Sequence, residues 1–324
     1  MRDTPILITG GAGFIGSHLV VALLDRGHAV RVLDNLSTGR LANLPAAHPR
    51  LKLLIGDVAD ADQVAEAVRG CKAVAHLAAV ASVQASVDDP LGTHRSNFVG
   101  TLNVCEAMRA YAVRRAVFAS SAAVYGQSGE GRAIAEDTPL CPLTPYAIDK
   151  LASEQLFDFY RRQHGLEPAV FRFFNIFGPR QDPSSPYSGV ISIFAERARK
   201  GLPISIFGDG EQTRDFVYVA DLVAILVQAL EAEHVCADAV NVGLNRSTSL
   251  NQLLAVIGDV LGGLPPVSHA EPRAGDIRHS LADNRRLLER FELKGATPIQ
   301  NGLRELLGAS VVARCSQVVG KHDE

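Results

Sequence analysis

Six stretches in the first 175 residues are apolar at nearly every position: PILITG (5–10), AVRVLD (29–34), LKLLIGD (51–57), AVAHLAA (73–79), RAVFASS (115–121) and AVFRFFN (169–175). A strand with one wet face alternates apolar and polar residues, and these do not. Both faces must be covered, as in a parallel sheet flanked by crossover helices. Between the strands, apolar residues recur at helical spacing, as in 14–26, which Gly27 follows, and in 62–68. The pattern predicts a doubly wound α/β domain.

Beyond Asn175 the texture changes. FGPRQDPSSPYSG (177–189) is dense in Pro, Ser and Gly and reads as a loop that opens a second lobe. A helix at 190–200, a strand at 202–207, a helix at 250–261 and a last helix near 300–307 follow, and DAVNVG (238–243) reads as one more strand of the first sheet. The expected division is 1–175 with about 215–245 in the first domain, about 176–214 with 246–308 in a smaller C-terminal α/β substrate lobe, and 309–324 as a tail.

TGGAGFIGS (9–17) follows the first strand and opens the first helix, the context a dinucleotide fingerprint requires. Gly11, Gly13 and Gly16 keep the G-x-G-x-x-G spacing, and Gly10 permits the tight exit from the strand. Backbone N–H groups then approach a pyrophosphate at the helix N-terminus, as in Rossmann domains. Asp34, ending the second strand, stands where an acid takes the ribose hydroxyls. Its charge repels a 2′-phosphate and favours NAD over NADP, with Arg40 nearby as the group able to tolerate that phosphate. Asp57 reads equally as an adenine contact or a loop carboxylate. Asn97 reads as a helix cap or as a cofactor contact.

Composition narrows the partners. The 324 residues carry a net charge of -3, which gives no general attraction to nucleic acid or an anionic membrane. A polyanion must be met by local arginines. Five scattered cysteines without a CxxC pair read as reduced thiols of a cytoplasmic protein, with no metal site expected. The first residues resemble neither a secretory signal nor a membrane span, and no later apolar run is long enough to cross a bilayer.

TPYAIDK (144–150) starts a helix, with Thr144 as N-cap and Pro145 in the first turn, and the pattern runs to His164 before Gly165. Tyr146 and Lys150 then share one face. A free phenol, with a pKa of about 10, is a poor base at neutrality. An ammonium alongside, with the cationic nicotinamide of NAD⁺, stabilises the phenolate. Such pairs arise by chance on many helices. Here the pair follows a nucleotide cradle and Ser121, at the strand end where ligands of such sheets bind.

TGGAGFIGS, DNLSTG, SSAAVYG, PYAIDK, RFFNIFGPRQDP, GDGEQTRDFVYVADL and RAGDIRHSLAD, in this order, resemble the motifs of the extended short-chain dehydrogenase/reductases. Among these they are most similar to NAD-dependent nucleotide-sugar epimerases of the UDP-glucose/UDP-N-acetylglucosamine 4-epimerase type, over roughly residues 5–308. The resemblance implies bound NAD, Tyr146 as base, Lys150 as its electrostatic partner and ribose ligand, and Ser121 as partner of the reacting sugar hydroxyl. It places the cofactor against Gly10, Gly13, Phe14, Ile15 and Gly16, and against Asp34, Asn35, Ser37 and Gly39. Asp57, Val58, Leu77, Ala78, Ala79, Asn97 and Phe173 complete that set. The UDP-sugar is placed against Ser82, Asn175 and Ser280, with Arg214 and Arg273 on the diphosphate and Asp276 on the uridine ribose. Guanidinium forks suit phosphate. A homodimer through helices at 101–112 and 146–164 is also implied.

Relatives on this scaffold share an oxidation of the sugar to a keto form and differ afterwards. Dehydratases carry an Asp-Glu pair directly after the serine or threonine, and decarboxylases a glutamate; here Ala122 and Ala123 stand there. Without a carboxylate to handle the next proton, reduction on the opposite face is the simplest exit, which inverts C4. At Ser280 a tyrosine would restrict the pocket to plain hexoses, whereas a serine admits an N-acetyl group; the other reading of Ser280 is a cap elsewhere. The alternatives are a dehydratase or decarboxylase, and a non-catalytic NAD-binding sensor, against which the Tyr146/Lys150 pair speaks.

Overall fold

Adjacent residues of the expected strands feed opposite cores. In β1 (Ile6–Thr9), Ile6 and Ile8 pack into one core and Leu7 into another, and in β5 (Arg115–Ser121) Val117 and Ala119 oppose Ala116 and Phe118. The computed structural model describes residues 3–127, 131–183, 189–235, 238–272 and 277–318, the last ten of these by backbone alone. Its main sheet also contains β2 (Val30–Asp34), β3 (Leu51–Ile55), β4 (Ala73–His76), β6 (Glu167–Phe173) and β11 (Val240–Val242). The order is β11-β6-β5-β4-β1-β2-β3, and every pairing is parallel. This is the doubly wound arrangement, with β11 returning to pair with β6.

Three smaller pairs form outside this sheet. β7 (Asn175–Phe177) lies parallel to β10 (Phe216–Tyr218), β8 (Ile204–Phe207) parallel to β13 (Val267–Ala270), and β9 (Thr213–Arg214) antiparallel to β12 (Thr248–Ser249).

The helices are α1 (Phe14–Asp25), α2 (Ala61–Val68), α3 (Val83–Asp88), α4 (Pro90–His94), α5 (Gly100–Ala110), α6 (Pro145–His164), α7 (Val190–Arg199), α8 (Val219–Glu231), α9 (Leu250–Leu261), α10 (Arg285–Arg290) and α11 (Ile299–Val318). Their ends follow local chemistry. Thr144 Oγ1 accepts from Ala147 N at 3.3 Å to start α6, and Gly165 stops it at φ 69°, a left-handed value that glycine adopts without strain. A capping box of Ser249 and Gln252 opens α9. On one face of the sheet α2, α5 and α6 supply Val64, Met108 and Phe157 to the core; on the other, α1 and α8 supply Leu19 and Leu226. Phe118 and Phe157 are fully buried with ring centroids 5.0 Å apart, and truncating either to alanine costs about 3–5 kcal/mol.

Two expectations change. Residues 95–99 form one wide π turn that joins α4 to α5, so Asn97 caps no helix end. The last helix continues to Val318, so the first part of the expected tail is helical backbone.

Candidate active site

A cleft of about 460 Å³ opens at the carboxyl ends of β1, β2, β4 and β5, across the point where strand order reverses between β1 and β4. Gly10 leaves β1 at φ 69°, and a Cβ there would meet the Ala78 backbone at 2.8 Å. At Gly16 a Cβ would stand 2.1 Å from the Gly10 carbonyl oxygen, so helix and turn approach as only glycine allows. No side chain caps α1 at Gly13, and its first turn, Phe14, Ile15 and Gly16, lines the cleft. That leaves a helix N-terminus for an anion.

Asp34, Asn35, Ser37, Asp57 and Val58 line the same cleft. Asp34 is buried and accepts from Ala12 N and Leu36 N, each at 2.8 Å, which fixes its carboxylate at the end of β2. Gly39 stands behind it, where a Cβ would strike the carboxylate oxygens at 2.7 and 2.9 Å. Asp57 accepts from Ala59 N at 2.8 Å and from Asn35 Nδ2 at 3.2 Å. Arg40 is exposed and pairs with Asp182 at 2.7 Å. Glycine turn, open helix end and ribose-side carboxylate together fit a dinucleotide.

The opposite wall, Leu77, Ala78, Ala79 and Val80, is held from behind by a buried relay. Ala78 N donates to Thr9 Oγ1 at 3.2 Å, and the Thr9 hydroxyl lies 2.7 Å from His76 Nδ1, to which it donates because the one proton of the neutral ring is on Nε2. Thr101 donates to Asn97 O at 2.6 Å, so it accepts from His76 Nε2 at 3.0 Å, which places the ring proton there. Burial, with the nearby Lys150 charge, pushes the His76 pKa down to about 3, so the ring stays neutral. The Asn97 side chain accepts from Val80 N at 2.8 Å and donates to Val80 O at 3.1 Å. Asn97 thus stands behind the cleft wall, as neither a cap nor part of the lining.

The floor carries the acid–base cluster of Tyr146, Lys150 and the Ser121 hydroxyl, and Phe173 lines the cleft with them. Tyr146 and Lys150 are buried, at 8% and 4% exposure. Burial raises the phenol pKa, and the hydrogen bond with Ser121 pulls it back. Ser121 Oγ also accepts from Ala123 N at 3.1 Å, which leaves its proton free for the phenolate. Lys150 Nζ donates to Ala119 O at 2.7 Å and sits 5.9 Å from the Tyr146 ring centroid. Burial lowers its pKa to about 8, with Asp149 and Glu154 opposing the fall.

The expected substrate residues are more dispersed. Ser82 caps α3 by accepting from Ala85 N at 3.1 Å. Asn175 N donates to Asp215 O at 3.1 Å, next to Phe174 and Ile176 of the lining. Arg214 Nη1 donates to Thr213 O at 2.9 Å and Ile277 O at 2.7 Å, and Ser280 N donates to Thr213 O at 3.2 Å. Arg214 and Ser280 therefore meet at the Thr213 carbonyl. Arg273 and Asp276 lie outside the described residues. Sequence reasoning missed Gln181, whose buried Oε1 has no partner among the described residues although the side chain lines the cleft. Its place in FGPRQDP, just past a strand end, was the available signal.

The family model for the NAD dependent epimerase/dehydratase family matches residues 6–243. The chain belongs to that family. The chain is 39% identical over 287 residues to a UDP-glucose 4-epimerase of Mycolicibacterium smegmatis, covering 87% of this chain and 91% of that one. A solved structure of UDP-N-acetylglucosamine 4-epimerase from Methanobrevibacter ruminantium M1, in complex with UDP-N-acetylmuramic acid, is similar at TM-score 0.90 and 35% identity, covering 97% of this chain and 100% of that one. The Thermus thermophilus UDP-glucose 4-epimerase in complex with NAD is similar at TM-score 0.85 and 37% identity, over 94% and 98%.

Proposed function

We infer that this protein interconverts the C4 epimers of UDP-hexoses, UDP-glucose with UDP-galactose and UDP-N-acetylglucosamine with UDP-N-acetylgalactosamine. The observation that carries this reading is the buried pair Tyr146 and Lys150 with the half-buried Ser121, followed by two methyl groups, Ala122 and Ala123, in the turn after Ser121. Gly10, Gly13, Gly16 and Asp34 would hold NAD, and Lys150 its nicotinamide ribose. When bound, NAD supplies a reversible two-electron couple at the sugar carbon and a positive charge near the phenol. Tyr146 takes the proton of the 4-hydroxyl, while Ser121 donates to the phenolate or the sugar oxygen. The Lys150 ammonium favours the phenolate over the phenol. With no carboxylate at 122 or 123 to carry an elimination forward, the 4-keto sugar turns over and Tyr146 returns the proton to the same oxygen.

Residues 1–175 with about 215–245 form the cofactor domain in this reading, and about 176–214 with 246–308 the substrate lobe. Arg214, Arg273 and Asn175 take the diphosphate side and Asp276 the ribose; Ser82 and Ser280 border the sugar. The assembly is a homodimer: Ile148 and Phe159, three turns apart on α6, expose 53% and 45% of their surface and give its bundle an apolar face. We place the enzyme in the cytoplasm because the described cysteines, Cys71, Cys105 and Cys141, are free thiols.

Incubation with a panel of UDP- and dTDP-sugars, with product stereochemistry assigned, tests the activity. C4 epimers are expected, and a keto-deoxy product or carbon dioxide would overturn it. Ser280→Tyr should reduce turnover of the N-acetylated sugars relative to the plain hexoses; an unchanged ratio would remove Ser280 from the pocket.

A further inference from the structure

Three successive turns of α6 hold β5. Tyr146 meets Ser121, Lys150 donates to Ala119 O at 2.7 Å, and Glu154 accepts from the Ser120 hydroxyl. The first two contacts belong to the reaction above, and the third has had no role. Arg172 stands beside Ser120 as its register partner on β6, and its fork closes on Glu154, Nε to Oε1 at 3.0 Å and Nη2 to Oε2 at 2.7 Å. The two side chains are 7% and 9% exposed. Arg172 Nη1 continues to the Tyr125 hydroxyl at 2.8 Å and to Glu136 O at 3.1 Å, and Tyr125 donates to Asn241 Oδ1 at 2.7 Å. A buried ion pair is weak evidence for stability, since well-packed apolar residues of similar volume often serve as well. Glu154 of this pair bonds Ser120, which lines the cleft, and stands one turn beyond Lys150.

We propose that Glu154, balanced by Arg172, is a positioning residue for the reaction: it anchors the Ser120–Ser121 corner of β5 beneath Tyr146 and cancels the Arg172 charge that would otherwise act on Tyr146 and Lys150. The proposal rests on Tyr146 acting as the base. The other titratable groups around this face are few. His76 of β4 is neutral, Tyr125 follows β5, Glu136 faces Arg286 of α10 at 3.7 Å, and Asp149 on α6 pairs with His94 of α4 at 2.7 Å. Glu154 and Asp149 are the carboxylates that favour the Lys150 ammonium.

Glu154→Gln keeps the shape and an acceptor for Ser120 but leaves Arg172 unbalanced. Excess positive charge stabilises the phenolate and destabilises the ammonium. The acid limb of the kcat profile should therefore move to lower pH by about one unit. Adding Arg172→Met removes the excess charge and should return the limb to its wild-type position, a rescue that a packing role does not give. Ser120→Ala, which changes no charge, should lower kcat without moving the limb. Should Glu154→Gln fail to fold, Arg172→Met alone carries the test with the opposite sign, moving the limb upward.

The tyrosinate ultraviolet band of the NAD-bound enzyme, wild type minus Tyr146→Phe, reads the same titration without substrate. No movement of limb or band in either single variant would overturn the proposal. A band that shifts in an enzyme that epimerises no UDP-hexose would support it while refuting the assigned activity.

Discussion

Replacing Lys150 by methionine should stabilise the fold below about pH 8 while ending catalysis. Burial takes the ammonium from a pKa of 10.5 to about 8. At about 1.4 kcal/mol per pH unit, holding it charged at neutrality costs the native state about 3 kcal/mol. Methionine removes that cost but leaves Ala119 O, now bonded to Nζ at 2.7 Å, without this donor. The lost bond offsets about 1–2 kcal/mol, so the net gain near neutrality is about 1–2 kcal/mol. The sign then changes with pH. Between 8 and 10.5 the unfolded lysine still binds a proton that the buried one has released, so wild-type stability climbs with pH and the variant's does not. Urea unfolding of both cofactor-free proteins, followed by circular dichroism across this range, gives the difference curve directly. A difference that stays constant from about pH 6 to about pH 10 would refute the argument, because only a titrating group can bend it.

Three further outcomes are expected. Tyr146→Phe should keep its bound NAD and lose kcat by about 10²–10⁴, because only the general base is removed; epimer formation and released cofactor are the two measurements, and near-normal turnover would take Tyr146 out of its role. Gly16→Ala brings a methyl 2.1 Å from the Gly10 carbonyl oxygen, a backbone atom with nowhere to move, so NAD affinity by fluorescence titration should collapse; wild-type affinity would contradict the described turn. Asn97→Ala removes the side-chain partners of the Val80 N–H and the Val80 carbonyl, at a cost of about 1–3 kcal/mol per unsatisfied group, and hydrogen exchange at Val80 should accelerate; unchanged protection would mean that the wall is held by something else.

The main sheet was legible because its strands are apolar on both faces, a signal that survives without knowing what covers them. β6 was expected at 169–175 and runs Glu167–Phe173, a shift at the ends only. Elements of two or three residues, such as β9 and β10, exist through pairing with distant segments and leave too short a pattern to read. Asn97 shows a different failure. A polar residue ahead of a helix looks like a cap, but the chain is already helical there, and the side chain serves a loop 17 residues earlier. Arg172 was hidden in the same way. Within AVFRFFN it looks like a flaw in a buried strand, and its partner Glu154 lies on another element.

The reaction depends on what the turn after Ser121 leaves out as well as on what Ser121 supplies. Ala122–Tyr125 form a 3-10 turn whose start is capped by Ser121 Oγ accepting from Ala123 N, so that hydroxyl's position is set by backbone rather than by a neighbouring acid. The cap uses a lone pair and leaves the proton, the part a phenolate requires. A carboxylate at 122 or 123 would add a second base beside the sugar and a negative charge that opposes formation of the phenolate. Two methyl groups add neither. Tyr146, hydrogen-bonded to Ser121 in the cleft, can both take and return the hydroxyl proton, and a cycle that begins and ends on the same oxygen is what it can support.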